Sequence, residues 1–270
     1  MRTGNPTLNA FSQYAEPVGV GPRSLEEVLG TKARPTTMSL RGTVIATSIL
    51  MGICATTAFA SFPYFDSMMT SGRSTAWMWV IGLMAGSFVI ALILGFNPKA
   101  APILAPIYAI AEGAWLAVAS LAISYSYLDK VDPHLISYGI IGTFCVGGGL
   151  CAAYSLGLIR ISGTVAKILV VAISAVSIYA VVMFASYMFG FGLPNLFTSV
   201  SPIGIGFTAL CILLASAALI LDFQFVEAGI RGGAPKYLEW YAGFTILVTL
   251  AWLYIEILRL LAKIAALTRE

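Results

Sequence analysis

Charge is what this chain has least of. Lys and Arg number 15 and Asp and Glu 12 among 270 residues, while 59% of the chain is apolar. A soluble domain carries about 25% charge, so a water-facing surface of ordinary composition is excluded. Histidine is nearly absent, with only His134. That excludes a bis-histidine haem site and argues against a histidine-dependent serine protease. No HExxH sequence occurs, which removes the zinc-protease reading. The four cysteines, Cys54, Cys145, Cys151 and Cys211, lie in apolar runs without CxxC spacing and give no redox or metal signal. A facing pair of aspartates for a membrane aspartyl protease is missing, because the spans offer only Asp222. Lys263 stands too near the end of the last run for a retinal lysine, and no Gly-rich phosphate loop precedes a helix. The expectation is a protein that is not an enzyme, has no cofactor and binds no nucleic acid.

What is present is continuous apolar sequence. Unbroken rather than alternating runs point to helices, not a barrel. Seven runs emerge, at 42–62, 76–96, 101–124, 135–158, 165–189, 202–226 and 241–262. Each is long enough to span a bilayer at about 20 residues per crossing. The expected fold is therefore all-α: an integral membrane bundle of seven transmembrane helices over residues 39–270. A polar cytoplasmic tail, residues 1–38, precedes it. The tail holds four cations and three acids and lacks a hydrophobic core before Leu40, so it does not read as a cleavable signal. Breaks are expected at Phe62-Pro63 with Asp66, at Asn97-Pro98-Lys99, at Asp129 to His134, at Arg160 to Lys167, at Phe189 to Pro202 and at Arg231 to Lys236.

Loop cations set the orientation. With the N-terminus inside, ten cations fall on the inner side: Arg2, Arg23, Lys32, Arg34, Arg41, Lys99, Arg160, Lys167, Arg231 and Lys236. Only Arg73 and Lys130 fall outside. The C-terminus conflicts, because seven crossings put Arg259, Lys263 and Arg269 outside. The run from 241 to 262 is long enough to cross, and crossing is the expectation.

The acids within the spans carry the functional signal. Glu112 stands alone in the third run, Asp222 lies near the end of the sixth, and Glu256 sits in the seventh. A carboxylate at membrane depth costs several kcal/mol unless it has a partner, meets water or is neutral. Three such acids suggest an ion or proton pathway. The last helix also bears a polar stripe, Thr245, Thr249, Trp252, Glu256 and Lys263, whose spacing keeps it on one face. A stripe through a whole span implies that this helix is central. By helical rise, Glu112 lies roughly 17 Å from the start of its span near Ala101, and Glu256 roughly 22 Å from Tyr241. On helices running in the same direction the two could face each other and share a proton or cation. Alternatively each is satisfied separately, Glu256 by Arg259 and Glu112 by a hydroxyl or backbone group. Glu227 and Arg231, four residues apart, read as a solvated pair or as a secondary part of the pathway. Gly147-Gly148-Gly149 and Ala85-Gly86-Ser87 suggest close helix packing.

The segment from Ala218 through Asp222-Phe-Gln-Phe-Val-Glu227 to Trp240, continued by Trp252-Leu-Tyr-Ile-Glu-Ile-Leu-Arg-Leu-Leu261, resembles the signature end of the Bax inhibitor-1/YccA-like family. Phe96-Asn-Pro-Lys-Ala100 and Pro106-Ile-Tyr-Ala-Ile-Ala-Glu112-Gly113 resemble its second-to-third helix region, and Asn5-Pro6 with the polar tail is similar to the bacterial branch. The resemblance implies a seven-helix bundle with a central last helix in the bacterial inner membrane. It also implies a pH-sensitive calcium leak gated by acids of helices six and seven. Asp222 matches the helix-six acid, and Glu256 stands where channel members carry aspartate. With Glu112 added from its place in the third span and Thr249 from the polar stripe, Asp222, Glu112 and Glu256 are the expected calcium ligands, Thr249 lies in the pathway, and calcium or protons are the partners. The alternative is a non-transporting regulator or substrate of a membrane-anchored protease, gripped by its N-terminal tail.

Overall fold

Proline and small polar residues set the helix starts. Ser39 accepts a hydrogen bond from Gly42 N at 3.0 Å and so caps α1, Leu40–Thr70. Asn97 and Pro98 divide α2, Ala76–Phe96, from α3, Ala101–Leu128, through one 3-10 turn. Asp132 accepts from the backbone N–H groups of His134 and Leu135 and opens α4, Pro133–Ser155, with proline at its first position. α5 is Gly163–Phe189 and ends at Gly190, whose φ is 71°. Ser201 and Pro202 repeat the cap-and-proline start for α6, Pro202–Arg231. Gly233, at φ 64°, turns the chain into α7, Leu238–Leu267. The computed structural model describes residues 37–71 and 76–268. The expected tail therefore lies outside the described residues except for its last two positions.

Those two positions belong to the bundle. Thr37 forms an antiparallel bridge with Pro235. Met38 is buried, and its N–H donates to Ala234 O at 2.7 Å. The last two positions of the expected tail are thus packed on the bundle.

One break is corrected. The chain does not stop at Phe62-Pro63, because α1 runs through Pro63 to Thr70. Within an apolar bundle a proline costs one ladder hydrogen bond, and neighbouring helices hold the segment in register. Phe65 and Met68, beyond the proline, pack with Val118 and Leu121 of α3. Asp66 accepts from Tyr125 Oη of α3 at 2.9 Å.

The seven helices form a membrane bundle. Six are long and apolar enough to cross, and α2 contributes the shorter apolar stretch Ile81–Phe96. α7 is the hub: it packs against α1, α3, α4 and α6. Its buried residues include Ala242, Thr249, Leu253, Glu256, Leu258 and Lys263, spread around the helix, as befits a helix enclosed by others. α5 is the opposite case. It packs chiefly on α6 and turns Ile168, Val171, Ile178 and Val181 outward. Among the small residues, Gly147 of α4 lies against Leu250 of α7, whereas Gly86, Gly148 and Gly149 face open space. The closest approaches use other glycines. A side chain at Gly113 of α3 would collide with the Cys54 carbonyl of α1, and one at Gly243 of α7 would press on the Thr47 backbone. α1 therefore lies backbone-close to both α3 and α7, which fixes the polar groups those helices carry.

Candidate functional site

A polar group within a span must find its partner inside the protein, and the acids here differ in what they meet. Asp222, half-buried on α6, accepts a hydrogen bond from Thr249 Oγ1 of α7 at 2.6 Å. No ion pair to it occurs among the described residues. Its carboxylate is thus held by a neutral hydroxyl of the central helix. Thr245, one turn before Thr249, lies beside it, while its own hydroxyl donates back to Ala242 O.

Glu112 is 7% exposed and has no cation partner among the described residues. Tyr108 of α3, Ser87 of α2 and Cys54 of α1 surround it. Ser87 Oγ is buried without a hydrogen-bond partner, so the hydroxyl is beside the carboxylate without bonding to it. This cluster adjoins the apolar core made by Leu50, Leu94, Tyr108 and Phe244, the last two rings meeting edge-on at 4.9 Å.

Glu256 is neutralised on its own helix. Arg259 Nη1 donates to both carboxylate oxygens, at 2.7 and 2.8 Å. The glutamate side chain is 3% exposed and the arginine side chain 17%. The guanidinium lies 4.9 Å over the Phe197 ring, in the segment between α5 and α6. One turn on, Lys263 is fully buried. Its ammonium donates to Leu196 O, Gly204 O and Thr208 Oγ1, at 3.0, 2.9 and 2.9 Å. Three donors meet three acceptors, so this end of α7 is pinned to the start of α6 and the segment before it.

These contacts decide which acids lie together. Asp222 and Glu256 do not face each other: the residue opposite Asp222 is Thr249, seven positions and about 10 Å of helix before Glu256. Glu112 and Glu256 do not share a cation or proton either, because one sits among α1, α2 and α3 groups and the other holds Arg259. Nor do the three acids make one calcium site. Among the described residues no three of His, Cys, Asp and Glu come together as a metal-binding group.

Glu227 and Arg231 form the expected pair at 2.5 Å, extended by Arg160 at 3.2 Å. Tyr154 Oη also donates to Glu227. This network ties α4, the α4–α5 segment and α6 together at a solvent-facing end, apart from Asp222.

Sequence reasoning missed Glu239. It is 4% exposed at the first turn of α7 and accepts from Ser39 N at 3.0 Å and Ser39 Oγ at 2.9 Å. A side chain at Gly42 would strike this carboxylate. The signal in the sequence was slight: an acid at a helix start and, 200 residues away, a serine and glycine that leave room for it.

A polytopic helical membrane protein with isolated, internally partnered carboxylates is the class these features define. The family model described as "Bax inhibitor 1 like" matches residues 6–266. The chain belongs to that family. No curated protein and no solved structure matches it.

The Glu256–Arg259 pair gives a direct prediction. Arg259→Ala leaves a carboxylate charged and buried, at an expected cost of about 3–5 kcal/mol, measured by denaturation in detergent. Arg231→Ala, at an exposed pair, is expected to change stability little. Equal losses would show that Glu256 has another counter-charge.

Proposed function

We propose that the protein conducts or exchanges a cation, with calcium the leading candidate, and that the Asp222–Thr249 contact is its pH-sensitive closure. The observation that carries this reading is the partnering of Asp222. It is a carboxylate at a helix–helix junction with only a neutral hydroxyl on the central helix. An ionised carboxylate there attracts a divalent cation, and a protonated one releases it. Because the carboxylate links α6 to α7, a change in its charge acts on the contact between two packed helices. Glu112 is the second titratable group without a cation and supplies a further station. Glu256, Glu227 and Glu239 have the partnering of structural acids.

The pathway is crossed in one orientation in the inner membrane of a bacterium, with the N-terminus cytoplasmic. Two of the C-terminal cations no longer count against this orientation. Arg259 is bound to Glu256 and Lys263 to three protein oxygens, so neither is a free loop charge. The competing reading, a non-transporting partner or substrate of a membrane protease, uses the tail, residues 1–38, of which 1–36 lie outside the described residues.

Two measurements test these readings. In a cysteine-free background, a membrane-impermeant thiol reagent added outside should label Arg269→Cys and leave Ala10→Cys unlabelled. The reverse pattern would invert the topology. In proteoliposomes, calcium flux should rise as pH falls over about 8 to 5, the direction expected when protons release a carboxylate-bound cation. Asp222→Asn should flatten that dependence, and Thr249→Val should raise flux at neutral pH by removing the hydroxyl. Wild-type flux no greater than in empty liposomes would favour the regulator reading. pH-dependent flux retained in Asp222→Asn would move the closure elsewhere.

A further inference from the structure

The bundle contains a second feature that the acids do not use. A chamber of about 230 Å³ opens between α1 and α4, with α3 and α7 as its floor. Its walls are apolar, including Ala55, Phe59, Leu116, Phe144 and Leu250. It is also dry by hydrogen-bond accounting. Ser120 Oγ donates to Leu116 O at 2.6 Å and lies 2.7 Å from Tyr254 Oη, which leaves the tyrosine as donor between the two. Thr143 Oγ1 donates to Gly139 O at 2.8 Å. No hydroxyl in the lining is left needing water, and an apolar cavity without polar partners stays dry.

Position decides what can enter. Ala55 is the midpoint of α1 and Phe144 the midpoint of α4, while Leu250 and Ala251 lie near the midpoint of α7. The mouth therefore opens at the centre of the hydrocarbon layer. It is flanked by Phe59 and Phe144, which are 71% and 59% exposed. Lipid tails are what surrounds a protein at that depth. A dry cavity of about 150 Å³ is large enough for benzene, so this larger one takes a stretch of hydrocarbon several carbons long. A second polypeptide could place no more than a side chain in it.

We propose that the chamber is a lateral site for one acyl chain of a bilayer phospholipid, admitted between α1 and α4 and resting on Leu116 and Leu250. The chain fills space between the hub helix and α1, so its presence sets how closely α1 and α4 approach each other. None of the lining residues is an acid, although Cys54, which lines the chamber, also lies beside Glu112.

The test uses the full chain in nanodiscs containing a phosphatidylcholine with a diazirine at mid-chain, followed by mass spectrometry of the adducts. Wild-type protein should be labelled at Leu116 and Leu250, which annular lipid outside the mouth does not reach, as well as at Val171 on the exposed face of α5. Ala55→Trp, placing a ring in the mouth, should lower labelling at the two floor residues about tenfold, the effect of about 1.4 kcal/mol of lost affinity. Labelling of Val171 should not change. Phe59→Ala, at an outward-facing position, should keep or raise floor labelling, and it serves if the tryptophan variant does not fold. Wild-type labelling confined to outer faces would overturn the proposal. So would floor labelling that persists in a folded Ala55→Trp, that is lost in Phe59→Ala, or that arises with a free diazirine fatty acid but not with the phospholipid.

Discussion

Every polar group in the hydrocarbon layer has to be answered from within the protein, and this structure is organised around that demand. Water supplies hydrogen bonds to loops and helix ends, but not to mid-span side chains. α7 carries more charged side chains than any other described helix, Glu239, Glu256, Arg259 and Lys263, so it must be enclosed. Lys263 finds two carbonyls and a hydroxyl, Glu256 finds Arg259, Thr249 finds Asp222, and Glu239 finds Ser39. α5 carries no acid and one cation, Lys167, near its start, and it can remain at the periphery with its apolar side chains toward lipid.

The same demand separates acids that have a counter-charge from acids that do not. A buried carboxylate beside a guanidinium is a closed unit, since its charge is matched and its lone pairs are occupied. A carboxylate beside a hydroxyl is not closed: it accepts a proton or a cation without breaking an ion pair. Asp222, Glu112 and Glu239 belong to the second kind, Glu239 accepting a backbone N–H as well as its serine hydroxyl. Asp222 differs from Glu112 in joining two helices, whereas Glu112 lies in a packed core beside a serine hydroxyl with no partner of its own.

Hydropathy made the helices legible, because hydrocarbon thickness and apolar length are the same constraint read twice. The stripe from Thr245 to Lys263 likewise announced a buried last helix. Pro63 misled, since a proline reads as punctuation in sequence but is tolerated inside a bundle whose neighbours hold the helix. The partners of the acids were legible only where they were local. Arg259 is three residues from Glu256 and could be read; Thr249 is 27 residues from Asp222, and helix-to-helix register is not written in periodicity. Glu239 was hidden for the same reason, its serine lying on the first helix. Two of the cations counted toward the C-terminus, Arg259 and Lys263, turned out to be engaged, because charge counting does not see what a side chain folds against.

The central claim is that Asp222, and not Glu256, is the acid at the α6–α7 junction that changes protonation. Infrared difference spectroscopy of the protein in nanodiscs, stepped between acid and neutral pH, reads carboxyl protonation directly. The account predicts that one component of the carboxylic-acid band appearing at acid pH is lost in Asp222→Asn and persists in Glu256→Gln, while the component from Glu112 remains in both. A titrating band that survives in Asp222→Asn and vanishes in Glu256→Gln would contradict it.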